Sequence, residues 1–521
     1  MNPLWGLDAD PTAQGRIKGA GPVAVLDIGS NSVRLVVYER HARALTTLYN
    51  EKAACALGRG LAATGRLPYE SIDRALTAIQ RFALVARLMQ AAQVHVLATS
   101  AVREAKNAAA FVDAVAAIMG VDVRVLSGKE EAHFAALGAI SGMPGFTGVI
   151  GDLGGGSLEM SALADGRDSA GETHALGVIR LQDDAGGSIT RAREIARQRL
   201  RRSELVTSPP GKAFCAIGGT WRSLAKVHQV LRGYPLHMVQ HYAVDVSDVL
   251  RLCDEIADAV ADGRPMPGGA RVSSLRRELV PYGAVVLGEV LRAGTFESVT
   301  FSALGVREGY LYALLDRHEQ ALDPLLQAAE DINVLRSRAP AHASDLFGFT
   351  SGLLAAIGVR EGPDGERLRK AACYLADIGW RGHPDYRGDQ SVDFVAYGSL
   401  TGVDHPGRAF LAEVLAVRYM GLKHKSGSHK LLALAGPVGS ARARLLGAAF
   451  RVAYPMSAAM PGVLPRTRFG MEGKTLVLHL PEDLAFLDGE HLRGRLEQLA
   501  GVACIKATAV RVGVNDGNAA A

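Results

Sequence analysis

Asp152 closes an apolar run, Val149-Ile150-Gly151, and is followed by Leu153, three consecutive glycines (Gly154, Gly155 and Gly156), Ser157 and a second apolar run that carries an acid, Glu159. This is the pattern of a hairpin with phosphate chemistry at its turn. Glycine can take φ > 0 and lets backbone N–H groups approach an anion that a larger side chain would hold off. A carboxylate at the strand end is placed to hold a hydrated Mg²⁺, a hard cation that takes carboxylates and phosphate oxygens. A Gly-rich turn between strands is also, by itself, only a turn.

The pattern occurs twice. Val23 to Val37 reads VAVLDIGSNSVRLVV, and aligning Asp27 with Asp152 sets Ile28 on Leu153, Gly29 on Gly154 and Ser32 on Ser157. Ser30, Asn31 and Ser32 then stand at the first turn as Gly155, Gly156 and Ser157 stand at the second. Matched hairpins indicate a duplicated domain whose halves face each other across a cleft. A third candidate anion site is Gly218-Gly219-Thr220, where the strand Ala213–Ile217 breaks into a helix N-terminus; a tight strand-to-helix turn explains it equally. Arg193, Arg197 and Arg201 recur at four-residue spacing, with Arg191, Arg199 and Arg202 beside them. Such a stripe is a solvated helix face, or the stripe a polyanion would use.

The elements that must hold these residues follow from periodicity. Leu67 to Gln90 has helical spacing, Val94 to Ala98 reads as a buried strand containing a core or surface histidine, His95, and Ala108 to Met119 as a second helix. Val121 to Leu126 is another strand, and Ser127-Gly128-Lys129-Glu130-Glu131 opens a helix running to Ser141. Strands first and helices interleaved argue for an α/β domain. The expected organisation is residues 1–135 and 136–316 as the two halves, 317–452 as a helical domain and 453–521 as a small α+β tail with strands at Thr475 to His479 and Lys506 to Val512, a helix between them and a frayed GNAAA end.

Composition bounds the rest. An apolar fraction of 48% and a charged fraction of 21% describe a globular chain, and a formal net charge of +5 in 521 residues does not by itself argue for nucleic acid or a membrane as partner. The five cysteines, Cys55, Cys215, Cys253, Cys373 and Cys504, contain no C-x-x-C pair and read as reduced thiols. With no leader-like N-terminus and no apolar run of spanning length, a cytoplasmic location is expected.

Four stretches in order, Asp27-Ile28-Gly29-Ser30-Asn31-Ser32, Thr99-Ser100-Ala101-Val102-Arg103, Ser127-Gly128-Lys129-Glu130-Glu131-Ala132 and Asp152-Leu153-Gly154-Gly155-Gly156-Ser157-Leu158-Glu159, resemble the exopolyphosphatase and guanosine pentaphosphate phosphohydrolase (Ppx/GppA) family. The resemblance covers residues 1 to about 315 and implies duplicated actin-like ATPase (ribonuclease H-like) lobes, a helical HD-like domain and a small α+β C-terminal domain. It further implies Mg²⁺- or Mn²⁺-assisted hydrolysis of a terminal phosphoanhydride. Glu131 is then the general base, Arg103 a phosphate contact, and Asp27, Asp152 and Glu159 the metal's support. Inorganic polyphosphate is the implied substrate, guanosine pentaphosphate the alternative, and a homodimer the implied assembly. Where HD phosphohydrolases carry a histidine before the aspartate, this chain has Ala376 before Asp377; Asp377 and His383 alone do not make a metal site, which marks the domain as non-catalytic. The stretch Lys423-His424-Lys425 with His429-Lys430 reads as a solvated basic loop or as a guide for a long polyphosphate. A kinase of the same superfamily and a non-enzymatic nucleotide switch are the competing classes. Water as nucleophile favours the hydrolase, since no acceptor-binding signature is visible.

Overall fold

The computed structural model describes residues 17, 21–164, 166–169, 171–424 and 428–513. The N-terminal stretch, Lys425 and the GNAAA tail of the sequence reading lie almost wholly outside them. Residues 1–324 form one compact unit and residues 325–521 a second.

The first unit contains two sheets. In one, β1 (Val23–Ile28), β2 (Ser32–Tyr38), β3 (Thr47–Ala54), β4 (Gln93–Ala98) and β5 (Val123–Val125) run in the order β3-β2-β1-β4-β5. In the other, β6 (Gly148–Leu153), β7 (Leu158–Ala164), β8 (Arg167–Asp168), β9 (Glu172–His174), β10 (Ala213–Ile217), β11 (Tyr242–Asp245) and β12 (Ser298–Phe301) run β11-β12-β10-β6-β7-β8, with β9 on β7. Read from β8, the second sheet repeats the first: third, second, first, then two parallel strands reached by helical crossovers, with β11 added at the edge. The duplication inferred from two hairpins thus extends to strand order.

Each sheet has its own core. The helix Tyr69–Leu88 starts after Pro68 and lays Ala75, Ile79, Phe82 and Ala86 on the first sheet, where they meet Leu26, Ile28 and Leu35. Phe214, Trp221 and Phe301 anchor the second core. Between them runs the helix Gly128–Gly142, which is continuous across the boundary expected at residue 135. Phe134 belongs to a cluster with Val25 and Leu97 of the first sheet, while Ala135, Ala136 and Ala139 join Ile150 and Ile217 of the second. It therefore connects the halves rather than ending one. The helix Val306–Leu314 crosses it where Gly309 lies against the backbone at Phe134 and Gly138, a contact too close for any Cβ.

The second unit packs the helices His342–Ala356, Pro363–Leu375, Arg387–Tyr397, His405–Met420 and Gly436–Ser457 with a three-stranded sheet, β13 (Arg468–Glu472), β14 (Thr475–Pro481) and β15 (Ala507–Gly513). Strand β13 escaped the sequence reading. In Arg468-Phe469-Gly470-Met471-Glu472 only Phe469 is buried, so the strand carries almost no alternation. Among the described residues no helix is long and apolar enough to cross a membrane.

Candidate active site

The two hairpins are equivalent bond for bond. In β1–β2, Asp27 is paired with Arg34 and Gly29 N–H donates to Ser32 O at 3.1 Å; in β6–β7, Asp152 is paired with Glu159 and Gly154 N–H donates to Ser157 O at 3.0 Å. Directly opposed residues of an antiparallel pair present their side chains on one face. Each aspartate thus shares a face with one charged partner, and the partner changes sign between the copies, Arg34 in the first and Glu159 in the second. Lys52, paired with Arg34 across β2–β3, extends the first row to Asp27, Arg34, Lys52.

The three glycines act differently from the expectation. None of Gly154, Gly155 and Gly156 has positive φ. A Cβ on Gly155 would stand 2.8 Å from Ser30 Cβ, and one on Gly156 2.8 Å from Ser100 Oγ. They are small so that the turns of the two halves can touch. Positive φ occurs instead at Gly218 (110°), whose turn is tucked against Asp152, with a Cβ position 3.1 Å from Asp152 Oδ1.

Between the turns lies a cavity of about 190 Å³. Of the residues singled out in the sequence, Asp27, Ser30, Asn31, Ser32, Glu131, Asp152, Gly154, Gly155, Gly218, Gly219 and Thr220 line it. The helix Gly219–Leu231 opens with its N-terminus at this wall, where unpaired N–H groups favour an anion. Gly156, Ser157, Glu159 and Arg103 do not line it. Five cations that the sequence reading passed over do: Arg34, Lys52, Arg222, Arg276 and Arg307. Arg34 was the one with a visible signal, as the residue that aligns with Glu159 once the hairpins are superposed.

Glu131 is buried in the first turn of its helix. Its neighbour Glu130 closes a capping box, accepting from Ser127 N–H at 2.9 Å while Ser127 Oγ accepts from Glu130 N–H at 3.2 Å, and Arg124 pairs with it at 2.8 Å. Glu130 is therefore structural. A helix start favours an ionised carboxyl, but burial wins: it pushes the Glu131 carboxyl up to about 7, with Asp152 and Asp27 adding to the shift and Arg103 opposing it. Arg103 is occupied here, ion-paired to Glu131 and donating to Leu126 O at 2.6 Å, instead of facing the cavity as a phosphate contact. Burial also raises Asp152, to about 6. Glu159, behind the cavity wall, is pushed well up by burial and by Glu131, and its Oε1 is buried without a hydrogen bond.

Asp27 is held from the opposite side. Arg307 Nη1 donates to Asp27 Oδ2 at 3.1 Å, while Glu308 Oε1 accepts from Tyr38 Oη at 2.7 Å and lies 3.4 Å from Arg307 Nη2. Burial works against the charge on Arg307, and Glu308, Tyr38 and Asp27 more than offset it. On the open side, burial and the nearby Arg276, Arg34 and Arg222 push the Lys52 amine down to about 8.

These residues suit a Mg²⁺ ion. One carboxylate from each hairpin, Asp27 and Asp152, faces the same cavity, and Mg²⁺ takes one or two carboxylates with the remaining positions filled by water and substrate phosphate. Among the described residues no cluster of three metal-ligating side chains forms a cage made by protein alone. Glu159 would reach such an ion only indirectly.

The other expected sites have other partners. Arg193 pairs with Asp254 and Asp258, Arg197 with Glu289 and Arg199 with Asp184, carboxylates carried by neighbouring helices, and the stripe is absent from the cavity wall. Asp377 is buried against Arg338, at 2.7 and 2.9 Å, while His383 is exposed and lies 3.7 Å from Asp385. His424 is buried beside Glu413 rather than displayed on a basic loop.

A model of the Ppx/GppA phosphatase family matches residues 36–318, and one described as exopolyphosphatase, C-terminal, matches 325–510. The chain belongs to the Ppx/GppA family. The curated relatives that match include Exopolyphosphatase 2 of Mycobacterium tuberculosis, 28% identical over 293 residues that cover 52% of this chain and 90% of the relative. Exopolyphosphatase 1 of Mycobacterium leprae is 28% identical over 306 residues, covering 56% and 89%. Among solved structures, an exopolyphosphatase from Cytophaga hutchinsonii superposes with a TM-score of 0.48 at 22% identity, covering 56% of this chain and 97% of its own. The Aquifex aeolicus Ppx-GppA enzyme gives 0.47 at 22%, covering 56% and 98%.

Proposed function

We propose that this Ppx/GppA protein is an exopolyphosphatase, releasing the terminal phosphate of inorganic polyphosphate to water. The observation that carries the reading is one cavity lined both by carboxylates, Asp27, Glu131, Asp152 and Glu308, and by five cations, Arg34, Lys52, Arg222, Arg276 and Arg307. A chain of phosphates needs both: its body lies on cations and backbone N–H groups, its end where water is activated.

Glu131 is the base. Its ionised form accepts the proton of the attacking water. Arg103, bound to the same carboxylate, orients it, and the helix packing around Phe134 holds both. Gly218, Gly219 and Thr220 present the helix N-terminus to a phosphate oxygen, and Arg307 fixes Asp27. Asp27 and Asp152 would hold Mg²⁺ or Mn²⁺, which when bound neutralises charge on the phosphate oxygens. Glu159 stays behind this layer, where burial and the charge on Glu131 favour its protonated form.

Guanosine pentaphosphate is the second reading, since the same groups serve any terminal phosphoanhydride. Among the described residues that line the cavity there is no Phe, Tyr, Trp or His on which a base would stack, which disfavours it. Initial rates on long polyphosphate, short polyphosphate and guanosine pentaphosphate, measured side by side, test the assignment. A higher kcat/KM on guanosine pentaphosphate than on either polyphosphate would overturn it.

A further inference from the structure

In the second unit many arginines meet carboxylates. Arg369 and Arg442 share Glu361, Arg444 meets Glu413, Arg466 meets Asp483 and Arg493 meets Asp488. One cluster departs from this. Around Trp380 and Tyr419 four guanidinium groups gather, those of Arg338, Arg381, Arg387 and Arg418, and among the described residues the single carboxylate ion-paired to any of them is Asp377.

Their proximity follows from a chain of contacts. Arg381 lies 5.0 Å and Arg338 5.9 Å from the Trp380 ring centre, and Trp380 Nε1 donates to Arg336 O at 2.7 Å. The adjoining Gly379 N–H donates to Tyr419 Oη at 3.0 Å, and Arg418 and Arg387 stand 4.5 and 5.6 Å from the Tyr419 ring centre. Arg418 Nε is buried without a hydrogen-bond partner. At the rim, the rings of His383 and Tyr386 lie 5.7 Å apart and are 65% and 64% exposed. The other acid at the rim, Asp385, is beside His383.

Neighbouring guanidinium groups repel one another unless an anion joins them, and Asp377 joins Arg338 and Arg418 but neither Arg381 nor Arg387. Planar guanidinium forks match phosphate oxygens, and exposed aromatic or guanidinium planes stack nucleobases. A bare phosphate chain would use the first feature and leave the rings idle. We propose that the Trp380–Arg387 face is a nucleotide site, holding the phosphates of a nucleoside triphosphate on Arg381 and Arg387 and its base against the exposed rings. Every residue of this face belongs to the 325–521 unit, and every residue named for the cavity to the first.

The test is ATP binding to the full chain without added divalent cation, read by tryptophan emission and by equilibrium dialysis. ATP should quench emission saturably in the wild type and not in Trp380→Phe. Arg381→Ala/Arg387→Ala, at exposed or half-exposed positions, should raise the dissociation constant at least 10-fold while phosphate release from polyphosphate is unchanged. Tripolyphosphate should displace ATP at least 10-fold less effectively than ATP itself. Unchanged ATP affinity in the double variant would overturn the site, and displacement by tripolyphosphate as readily as by ATP would overturn the assignment to a nucleotide.

Discussion

Replacing Glu131 by Gln removes the proposed base without changing shape, and the environment of Glu131 sets how the loss should look across pH. Burial among Asp152 and Asp27 raises its carboxyl from 4.5 to about 7, Arg103 notwithstanding. A base acts when ionised, so kcat/KM should rise with pH through this range. Burial, the largest cause, sets this limb above that of an ordinary carboxyl, while a cation held by Asp152 and Asp27 would remove their part of the shift. Gln should lower kcat by roughly 10²–10⁴, the usual worth of a positioned general base, and should flatten the acid limb of what activity remains. The assay is initial phosphate release from polyphosphate between pH 5.5 and 9 at saturating Mg²⁺, with polyphosphate affinity measured separately. Retention of the same acid limb in the variant, or loss of binding in step with turnover, would refute the assignment. The same shift bears on stability. A carboxyl that holds its proton more tightly when folded contributes stability that declines as pH rises from its ordinary value toward the folded one. The thermal midpoint of Glu131→Gln should therefore gain on that of the wild type between about pH 4.5 and 7.

Other outcomes follow from the same geometry. Asp27→Asn and Asp152→Asn should each move the Mg²⁺ activation curve to higher concentration by tenfold or more; a metal titration identical to wild type would remove that aspartate from the ion's surroundings. Lys52, pushed down to about 8, should lose its charge as pH rises past that value. KM for polyphosphate is then expected to climb above pH 8 in the wild type and to stay flat in Lys52→Arg, which steady-state kinetics at pH 7 and 9 can check. Neutralising Arg193, Arg197 and Arg201 together should leave the ratio of long-chain to short-chain rates unchanged, because Arg193 and Arg197 already face carboxylates away from the cavity; a selective loss on long chains would show the stripe reaching substrate.

Much of the site was legible because the chain repeats it. Asp27 and Asp152 head hairpins that match residue for residue, and that repetition gave the duplicated halves and the facing turns from letters alone, while Gly218-Gly219-Thr220 entered separately, as a strand running into a helix start that a tight turn explained equally. What stayed hidden depends on register and burial. Lys52 joins the cavity through a third strand, and Arg276 comes from far along the chain, so no local spacing announces either. Arg103 and Glu131 both stood out as charged motif residues, yet only packing decides that they bind each other. The triple glycine was read as backbone freedom and proves to be clearance between Ser30 and Ser100. The boundary at residue 135 failed for a similar reason, since a helix with buried residues on two sides can serve two sheets at once.

The central claim is that water attacks a phosphate end held between the two hairpins. Its most direct measurement is phosphate release from long-chain polyphosphate with Mg²⁺ and no acceptor present, run in ¹⁸O-labelled water. Steady release of inorganic phosphate carrying one solvent oxygen is expected, slowed by roughly 10²–10⁴ in Glu131→Gln. Release that requires an added acceptor, or phosphate that carries no solvent oxygen, would contradict it.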